Sequence, residues 1–351
     1  MSISPNRGKT RDKPMPLLDL IDQYVPPTEQ EVEVLLNLIL ARPIWQLSPF
    51  LRQSKLVSSG TKEAIRHRLT AGLDDGKVDV ASLIDLLDEL EGWGNQHIYL
   101  YKSNHKISER WSSVAYVKSI LRKNDLTRLH NKRNPLVLPP DRQISAIRHS
   151  PERLRIQWIE AREWEEHVPD EDIPTDDGIL RYFKRRQARG MTIFDWDLLS
   201  GHAALLTQRL PHGNKYDEVR KNFEKELEPI LGIRQLEKLR LSRSIAKIED
   251  SKEAMRRQFH HELIGGETVS MTSSTRSEDV FKSPTLEKAR QALGGNTLPL
   301  IGNLYWQPVS GKFDRVVHVK LYPKDQRVGV FGACRESEVQ YLLSRIRHHC
   351  R

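Results

Sequence analysis

The sequence of 351 residues contains only two cysteines, Cys334 and Cys350, and no long apolar run. Two cysteines cannot form a disulfide framework or, by themselves, a zinc site. The most apolar stretch, residues 32–41, is interrupted by Glu33 and Asn37, whereas a membrane-spanning helix needs about 20 apolar residues. The polar, basic N-terminus also lacks the apolar core of a secretion signal. These absences predict an intracellular protein, in the cytoplasm, nucleoid or nucleus, that has no membrane partner.

Motifs of common enzyme chemistries are missing as well. Gly265-Gly266 and Gly294-Gly295 lack the Lys-Ser/Thr that a phosphate-binding loop needs, and no Gly-x-Ser-x-Gly occurs. The tracts His260-His261-Glu262 and His348-His349-Cys350 do not have the ligand spacing of a structural zinc site. We therefore expect no cofactor, no bound metal ion and no catalytic residue.

The positive charge of the chain is concentrated in one region. The formal net charge is +9, and between Tyr101 and Arg155 13 Lys and Arg residues stand against four Asp and Glu residues, a difference of nine. Charge gathered in this way favours a polyanionic partner such as nucleic acid. The alternative is a basic linker whose charges only keep the chain soluble.

Residues 47–69 predict two short helices joined by a loop that contains Ser and Gly. The first helix spans about residues 46–54. The second begins near Gly60–Thr61, where Ser58, Ser59, Gly60 and Thr61 are good N-cap residues. A helix N-terminus presents free N–H groups and a partial positive charge, which suit a phosphate. Because cations oppose the dipole of a helix start, their presence there favours an anion-binding role.

Residues 55–69 read Lys-Leu-Val-Ser-Ser-Gly-Thr-Lys-Glu-Ala-Ile-Arg-His-Arg-Leu. This run, within residues 45–70, resembles the SAP motif of small helix–loop–helix DNA-binding modules. That family shows Gly-Leu, two variable residues, Ser/Gly-Thr-Lys, apolar positions and a closing Arg-Leu, and this chain has Lys55 in place of the Gly. The resemblance implies that residues 59–62 lie against a DNA backbone. An ordinary capped helix with solvated charges is the alternative.

The predicted phosphate-binding residues belong to two segments, the helix start and the basic region that follows. They are Arg52, Lys55, Ser59, Gly60, Thr61, Lys62 and Arg66 in the first segment, and Lys118, Arg122, Lys123, Arg128, Lys132 and Arg133 in the second. No pattern for reading base edges is evident. These residues therefore predict binding to double-stranded DNA with low sequence specificity.

The order of helix and strand patterns predicts an α+β protein, an all-helical domain followed by a mixed α/β domain. We expect a basic flexible tail over residues 1–26, a helical domain over 27–124, a basic linker over 125–142, and an antiparallel sheet within 143–351. A mobile insertion is expected at 265–284. Helices are predicted at 29–42, 80–91, 111–123, 198–210, 216–227, 233–259 and 336–347, and Thr28 and Glu31 predict a capping box at the start of the first. Strands are predicted at 144–149 and 154–159, joined as a β-hairpin, and at 191–196, 315–322 and 327–333, with a surface loop at 160–177.

A helical domain with a capped basic helix, followed by an α/β domain that ends in a hairpin and a helix, is similar to the centromere protein N family. The segments that carry this looser similarity are residues 60–69, 147–158, 216–227 and 317–346. Those proteins bind nucleosomal DNA and kinetochore partners. The similarity implies DNA binding without catalysis, and we expect the second domain to mediate oligomerisation or to bind a protein partner.

Two other functions remain open from the sequence. A metal-dependent nuclease would need clustered carboxylates, and Asp195 and Asp197 share one face of a predicted strand, with His202 nearby. An ordinary strand end is the alternative reading of these residues. A scaffold that binds only proteins, and whose basic face meets an acidic partner, is the third hypothesis.

Overall fold

The computed structural model describes residues 28–132, 134, 137–175, 177–210, 215–251, 253–273, 279–293 and 297–350. The described chain begins with four helices that pack around one apolar core. They are α1 (Glu29–Leu40), α2 (Ile44–Gln53), α3 (Lys62–Asp74) and α4 (Val80–Glu91). We refer to residues 28–91 as the helical unit.

The rest of the described chain is organised around one large antiparallel sheet. Its strands are β1 (Gly94–Lys102), β2 (Gln143–His149), β3 (Arg153–His167), β6 (Phe183–Asp197), β7 (His202–Gln208), β8 (Glu237–Lys238), β9 (Ala254–Leu263), β10 (Thr268–Thr272), β11 (Thr297–Trp306), β12 (Val317–Tyr322) and β13 (Arg327–Ala333). Within the described residues the strand order is β10-β9-β11-β12-β13-β1-β7-β6-β3-β2, and β8 also pairs with β1. A separate two-stranded hairpin, β4 (Ile173–Thr175) with β5 (Gly178–Leu180), lies between β3 and β6.

Helices cover both faces of the sheet. The remaining helices are α5 (His105–Ser112), α6 (Val114–Lys123), α7 (Tyr216–Leu231), α8 (Ser242–Ser251), α9 (Pro284–Leu293) and α10 (Glu336–His349). Apolar side chains of α8 and α10 pack with Ile98 and Leu100 of β1, whereas α6 and α7 pack with Tyr99 and Tyr101. The alternation in β1 follows from the period of two in a strand, which sends successive side chains to opposite faces.

The structure confirms the α+β class and the elements that have local sequence signals. Thr28 and Glu31 form the expected capping box of α1, in which the Glu31 amide donates to Thr28 Oγ1 at 3.2 Å and the Thr28 amide donates to Glu31 Oε2 at 2.8 Å. Helices at 62–74, 80–91, 216–231 and 336–349, the hairpin β2–β3 and the final strands β12 and β13 match their predictions. Capping residues and turns are local features, so they can be read without tertiary information.

Several predicted helices and loops are wrong. The segment 27–124 was expected to be all-helical, but it contains strand β1, which lies between β13 and β7 in the sheet. Residues 198–210 form a turn and strand β7 instead of a helix, and residues 233–259 divide into β8, α8 and the start of β9. The β7 run Ala-Ala-Leu-Leu is buried on both faces, which hides the alternation of a strand.

Other boundaries also differ from the prediction. The expected loop 160–177 begins as a continuation of β3, which reaches His167. The expected linker 125–142 is docked on the protein, since Leu129 and Val137 are buried. The expected insertion 265–284 contains β10, while its residues 274–278, like the tail 1–26, lie outside the described residues.

A buried cluster of charged side chains joins the helical unit to the sheet. Arg189 of β6 donates to Asp88 at 2.5 Å and to Glu91, both on α4. Gln157 of β3 also donates to Asp88 at 2.6 Å, and Arg42 donates to Glu91 at 2.9 Å. Burial raises the pKa of Asp88 against the opposing effect of Arg189. The Asp88 carboxylate therefore depends on its partners to remain charged inside the protein.

Arg189→Ala is expected to lower the free energy of unfolding by about 3–5 kcal/mol, because Asp88 would lose its cation while still buried. Guanidinium chloride denaturation measures this loss. Arg185→Ala, on the same strand, is the matched control, since the Arg185–Glu163 pair is exposed and its loss should change stability far less. An equal effect of the two substitutions would contradict the conclusion that Arg189 holds the helical unit on the sheet.

Candidate nucleic-acid interface

The loop between α2 and α3 is held in shape by its own neighbours. Arg68 donates from Nη1 to the carbonyl oxygens of Val57, at 2.7 Å, and Ser59, at 2.5 Å. Gly60 has a φ of +114° and Lys55 a φ of +58°. Lys55 occupies the position at which the SAP pattern has Gly, and its left-handed backbone is the conformation that Gly adopts most easily. The loop conformation is therefore fixed from the C-terminal side by α3.

The start of α3 is exposed, as a phosphate-binding site requires. Ser59, Gly60, Thr61 and Lys62 are all exposed, and Thr61 is the N-cap, accepting from the amide of Ala64 at 3.3 Å. Glu63 lies in the first turn, and its own backbone amide and Thr61 lower the pKa of its carboxyl. This carboxylate already compensates part of the positive charge at the helix N-terminus. The helix start alone therefore attracts an anion only weakly.

The basic side chains around this helix start divide into two groups. Arg66 donates to Glu33 of α1 at 2.7 Å and to Asn37, so it connects α3 with α1. Arg52, Lys55 and Lys62 are exposed, and none of them has an ion-pair partner among the described residues. These three cations, and not Arg66, are available to a polyanion.

The second predicted segment follows α6 into a short 3₁₀ turn, Thr127–Leu129. Its exposed basic residues without an ion-pair partner in the described structure are Lys118, Arg122, Lys123, Arg128 and Lys132. Arg133 lies outside the described residues. Arg122 and Lys123 lie in the last turn of α6, where cations also stabilise the helix dipole.

A basic cleft opens where this segment meets α4 and the β2–β3 hairpin. We call it the α4 cleft, and it has a volume of about 560 Å³ and is lined by Asp85, Asn131, Lys132, Arg148, His149, Ser150, Arg153 and Arg155. A second recess of about 360 Å³ shares Asp85, Arg148 and Arg155 with it and continues toward Trp93 and Glu336. The α4 cleft therefore lies between the helical unit and the edge of the sheet.

Two of the cleft arginines are neutralised by distant carboxylates. Arg153 donates to both oxygens of Asp195, at 2.7 and 2.8 Å, and to Glu336 at 2.7 Å. Arg155 donates to Asp195 at 3.2 Å and also pairs with Glu336. Lys132 and Arg148 are exposed and have no ion-pair partner among the described residues. These two side chains carry the free positive charge of the cleft.

His149 adds an unpaired polar atom to the same wall. Its Nε2 donates to the carbonyl oxygen of Trp111 at 2.8 Å, whereas its Nδ1 is buried and finds no partner in the described part of the chain. The neighbouring His130 ring lies 5.8 Å away between centroids, and burial, followed by the nearby His149, lowers the pKa of His130. Two imidazole rings thus lie beside the cations of the cleft.

Sequence reasoning included Arg148, Arg153 and Arg155 in the charge count but did not select them as site residues. Their positions on the β2–β3 hairpin bring them together, and that hairpin was predicted. The acids that neutralise Arg153 and Arg155 lie 42 and 181 residues away in the sequence. Local sequence therefore carries no signal that separates the free cation Arg148 from its paired neighbours.

The two aspartates considered as nuclease ligands have structural roles. Asp195 and Asp197 share a face of β6 as expected, and they lie opposite Arg155 and Arg153. Asp195 accepts from both of these arginines and from Gln340, at 2.9 Å, while Asp197 accepts from two amides of the following turn, at 3.0 Å each. Guanidinium groups occupy the oxygens that a cation would need. In the described ranges no group of three His, Cys, Asp or Glu is placed to hold a metal ion.

Comparison of the sequence with models of protein families found no match, and comparison with curated proteins found no significant match. Among the described residues, no helix is both long and apolar enough to cross a membrane.

Gly60→Ala is expected to destabilise the protein by about 2 kcal/mol, because its φ is unfavourable for a side chain and the added Cβ would lie 3.2 Å from Arg68 Nη2. Thermal or denaturant unfolding measures the change. Gly76→Ala is the matched control in the same unit, with a φ of +68° and no atom within 4 Å of the added Cβ, and should cost about 1 kcal/mol. A larger cost at Gly76 would contradict the description of the loop.

Asp195→Asn is expected to lower stability by about 3 kcal/mol at neutral pH, because two arginines would lose their shared carboxylate. Burial opposes ionisation of Asp195, but Arg153 and Arg155 lower its pKa below the ordinary value. The stabilisation is therefore complete above about pH 5 and is lost as the pH falls through the folded pKa. Urea denaturation between about pH 3.5 and 7 tests this, and a wild-type-to-variant difference that does not shrink on acidification would contradict it.

Proposed function

We propose that this protein binds the phosphate backbone of double-stranded DNA without catalysing a reaction on it. The supporting observation is the distribution of unpaired cations. Nine exposed basic residues have no ion-pair partner among the described residues, and they lie at the α3 start, along α6 and in the α4 cleft: Arg52, Lys55, Lys62, Lys118, Arg122, Lys123, Arg128, Lys132 and Arg148. Cations that the fold does not neutralise are those that can replace counterions on DNA.

Ion pairing distinguishes these nine cations from their paired basic neighbours. Arg42, Arg66, Arg153 and Arg155 lie in or beside the same regions and are committed to carboxylates. The nine unpaired cations remain open to an anion. The resemblances of residues 45–70 to the SAP motif and of the whole chain to the centromere protein N family agree with this proposal.

The proposal assigns different roles to the two parts of the chain. The helical unit, α6 and the α4 cleft would contact phosphates, with no base-specific contact required. The rest of the sheet region, residues 143–351, would bind a protein partner or a second copy of the chain. A protein with these roles would work where DNA is found, in the nucleus or nucleoid.

The proposal predicts a strong salt dependence of DNA binding that is reduced when cleft cations are removed. For a duplex of about 30 base pairs, Lys132→Ala/Arg148→Ala should reduce the slope of log K against log salt by about 2, since each lost phosphate contact accounts for about 0.9. Affinity should fall about tenfold at physiological salt, and equally for unrelated sequences. Fluorescence anisotropy across a salt series measures both quantities.

The same titration tests the α3 start with Lys55→Ala/Lys62→Ala. Lys77→Ala is the matched control, because Lys77 is an exposed lysine of the helical unit that is already paired with Asp75 at 2.8 Å. If only the cleft variant changes the slope, the SAP-like start is not part of the interface. If the wild type binds DNA but neither variant changes affinity or slope, the proposed interface is rejected. If the wild type does not retain DNA at low salt, DNA binding is rejected and a protein-only scaffold is favoured.

A further inference from the structure

A two-stranded arm extends from the sheet beyond its neighbouring strands. We define the arm as residues 160–189, which include the distal halves of β3 and β6 and the β4–β5 hairpin. Strand β2 pairs with β3 only as far as Ile159, and β7 pairs with β6 only from Thr192 onward. Between these limits β3 and β6 pair with each other, from Glu160↔Gly190 to His167↔Phe183. The arm therefore has two strand edges that the sheet does not cover.

The end of the arm carries a concentration of exposed apolar side chains. Among the described residues, five of the eleven large apolar side chains with high exposure lie between residues 173 and 183. They are Ile173 (57% exposed), Ile179 (67%), Leu180 (61%), Tyr182 (45%) and Phe183 (50%). We call these five residues the apolar tip. A grouped apolar surface of this kind marks an interaction site, whereas isolated exposed apolar residues do not.

The apolar tip is held in a defined conformation. The carboxylate of Asp172 accepts from the amide of Tyr182 at 2.8 Å and pairs with His167 Nε2 at 2.8 Å. The amide of Val168 donates to the carbonyl oxygen of Tyr182 at 3.0 Å, and the rings of His167 and Phe183 lie 5.3 Å apart. An ordered surface loses less conformational entropy when it docks, so the tip is suited to binding.

Charges of both signs border the tip, and they are unpaired. Arg181 and Lys184 are exposed within and beside the tip, as are the acids Asp170, Glu171 and Asp177. None of these five has an ion-pair partner among the described residues. Farther along the arm, Arg185 pairs with Glu163 and Arg186 with Glu166. Apart from Glu165, the unpaired charges of the described arm thus lie in or beside the apolar tip.

We propose that the apolar tip docks against the same tip of a second copy of the chain. In a two-fold symmetric contact, residue i of one copy meets residue j of the other and j meets i. Apolar side chains would then be buried against each other, while Arg181 and Lys184 of each copy face Asp170 and Glu171 of its partner. A patch that carries unpaired groups of both signs can pair with a second copy of itself. The small size of the tip predicts a weak, reversible dimer.

Nucleic acid fits the tip less well than a second copy does. Phosphate recognition uses clustered cations, whereas the tip is mostly apolar and its two bordering cations are outnumbered by unpaired acids. The proposed dimer rests on one part of the proposed function, namely that residues 143–351 bind a protein partner or a second copy of the chain. It is independent of DNA binding, because none of the nine free cations named for DNA lies in the arm.

The test is sedimentation equilibrium of the full chain between roughly 1 and 200 µM. We expect the wild type to pass from monomer to dimer over this range. Ile179→Ser/Leu180→Ser should weaken the dimer about a hundredfold, about tenfold for each buried side chain. Leu199→Ser is the matched control, since Leu199 is a leucine 72% exposed in the turn between β6 and β7, outside the arm. It should leave the dimer unchanged.

A charge exchange tests the arrangement of the contact. Arg181→Glu/Lys184→Glu and Asp170→Lys/Glu171→Lys should each be monomeric when alone, because like charges would meet across the two-fold axis. An equimolar mixture of the two variants should regain the dimer. All substituted positions are exposed, and circular dichroism of each variant verifies that the fold is retained.

Each remaining result overturns the proposal. A wild type that is monomeric at every concentration, a dimer unaffected at the tip, or a mixture that fails to associate would each exclude the symmetric contact. The same variants are titrated with DNA. If they lose DNA affinity without a change in mass, the tip is a DNA contact, whereas normal DNA binding by monomeric variants separates the dimer from the proposed function.

Discussion

The contact between Arg189 and the carboxylates of Asp88 and Glu91 determines how the helical unit is placed on the sheet. The apolar core of α1–α4 is separate from the two cores that line the sheet, so burial of apolar surface alone would allow many relative positions. Buried ion pairs tolerate few geometries, because a displaced partner leaves a charge without compensation. Asp85, one turn before Asp88 on α4, lines the α4 cleft. The contact between Arg189 and the α4 carboxylates therefore also fixes the α4 wall of the cleft relative to the wall formed by the β2–β3 hairpin.

Ion pairing by distant residues decides which cations remain available. The carboxylates of Asp195 and Glu336 neutralise the guanidinium groups of Arg153 and Arg155. Glu336 lies near the C-terminal end of the chain. Lys132 and Arg148, in the same cleft, receive no such partner among the described residues. Both groups look alike in the sequence, since each is a basic residue in a basic stretch. The segment that binds a polyanion could thus be predicted from charge density, but its individual residues depend on tertiary contacts.

The predictability of the fold follows the same division between local and distant information. The capping box at Thr28, the N-cap at Thr61 and the hairpin β2–β3 have short-range signals and were predicted. Strands β1 and β7 were not, because both lie inside the sheet with helices on each face, and a strand buried on two sides loses its apolar–polar alternation. A continuous apolar run then looks like a helix. Residues 160–177 of the arm were predicted to be a loop, because the acidic strand is solvated and pairs with a basic strand nearly 20 residues later.

The two proposed interactions differ in how strongly they depend on salt, so a salt series can distinguish DNA binding from dimer formation. Phosphate contacts are lost steeply as salt rises, since counterions compete for the DNA. Contacts between apolar tips depend little on ionic strength, and only the bordering charges are screened. If two copies join through their arms, each dimer carries two sets of free cations, and the second set engages the same DNA at a high effective concentration. A weak dimer would then raise DNA affinity well beyond that of one copy. The length of DNA over which this gain persists would report the distance between the two α4 clefts.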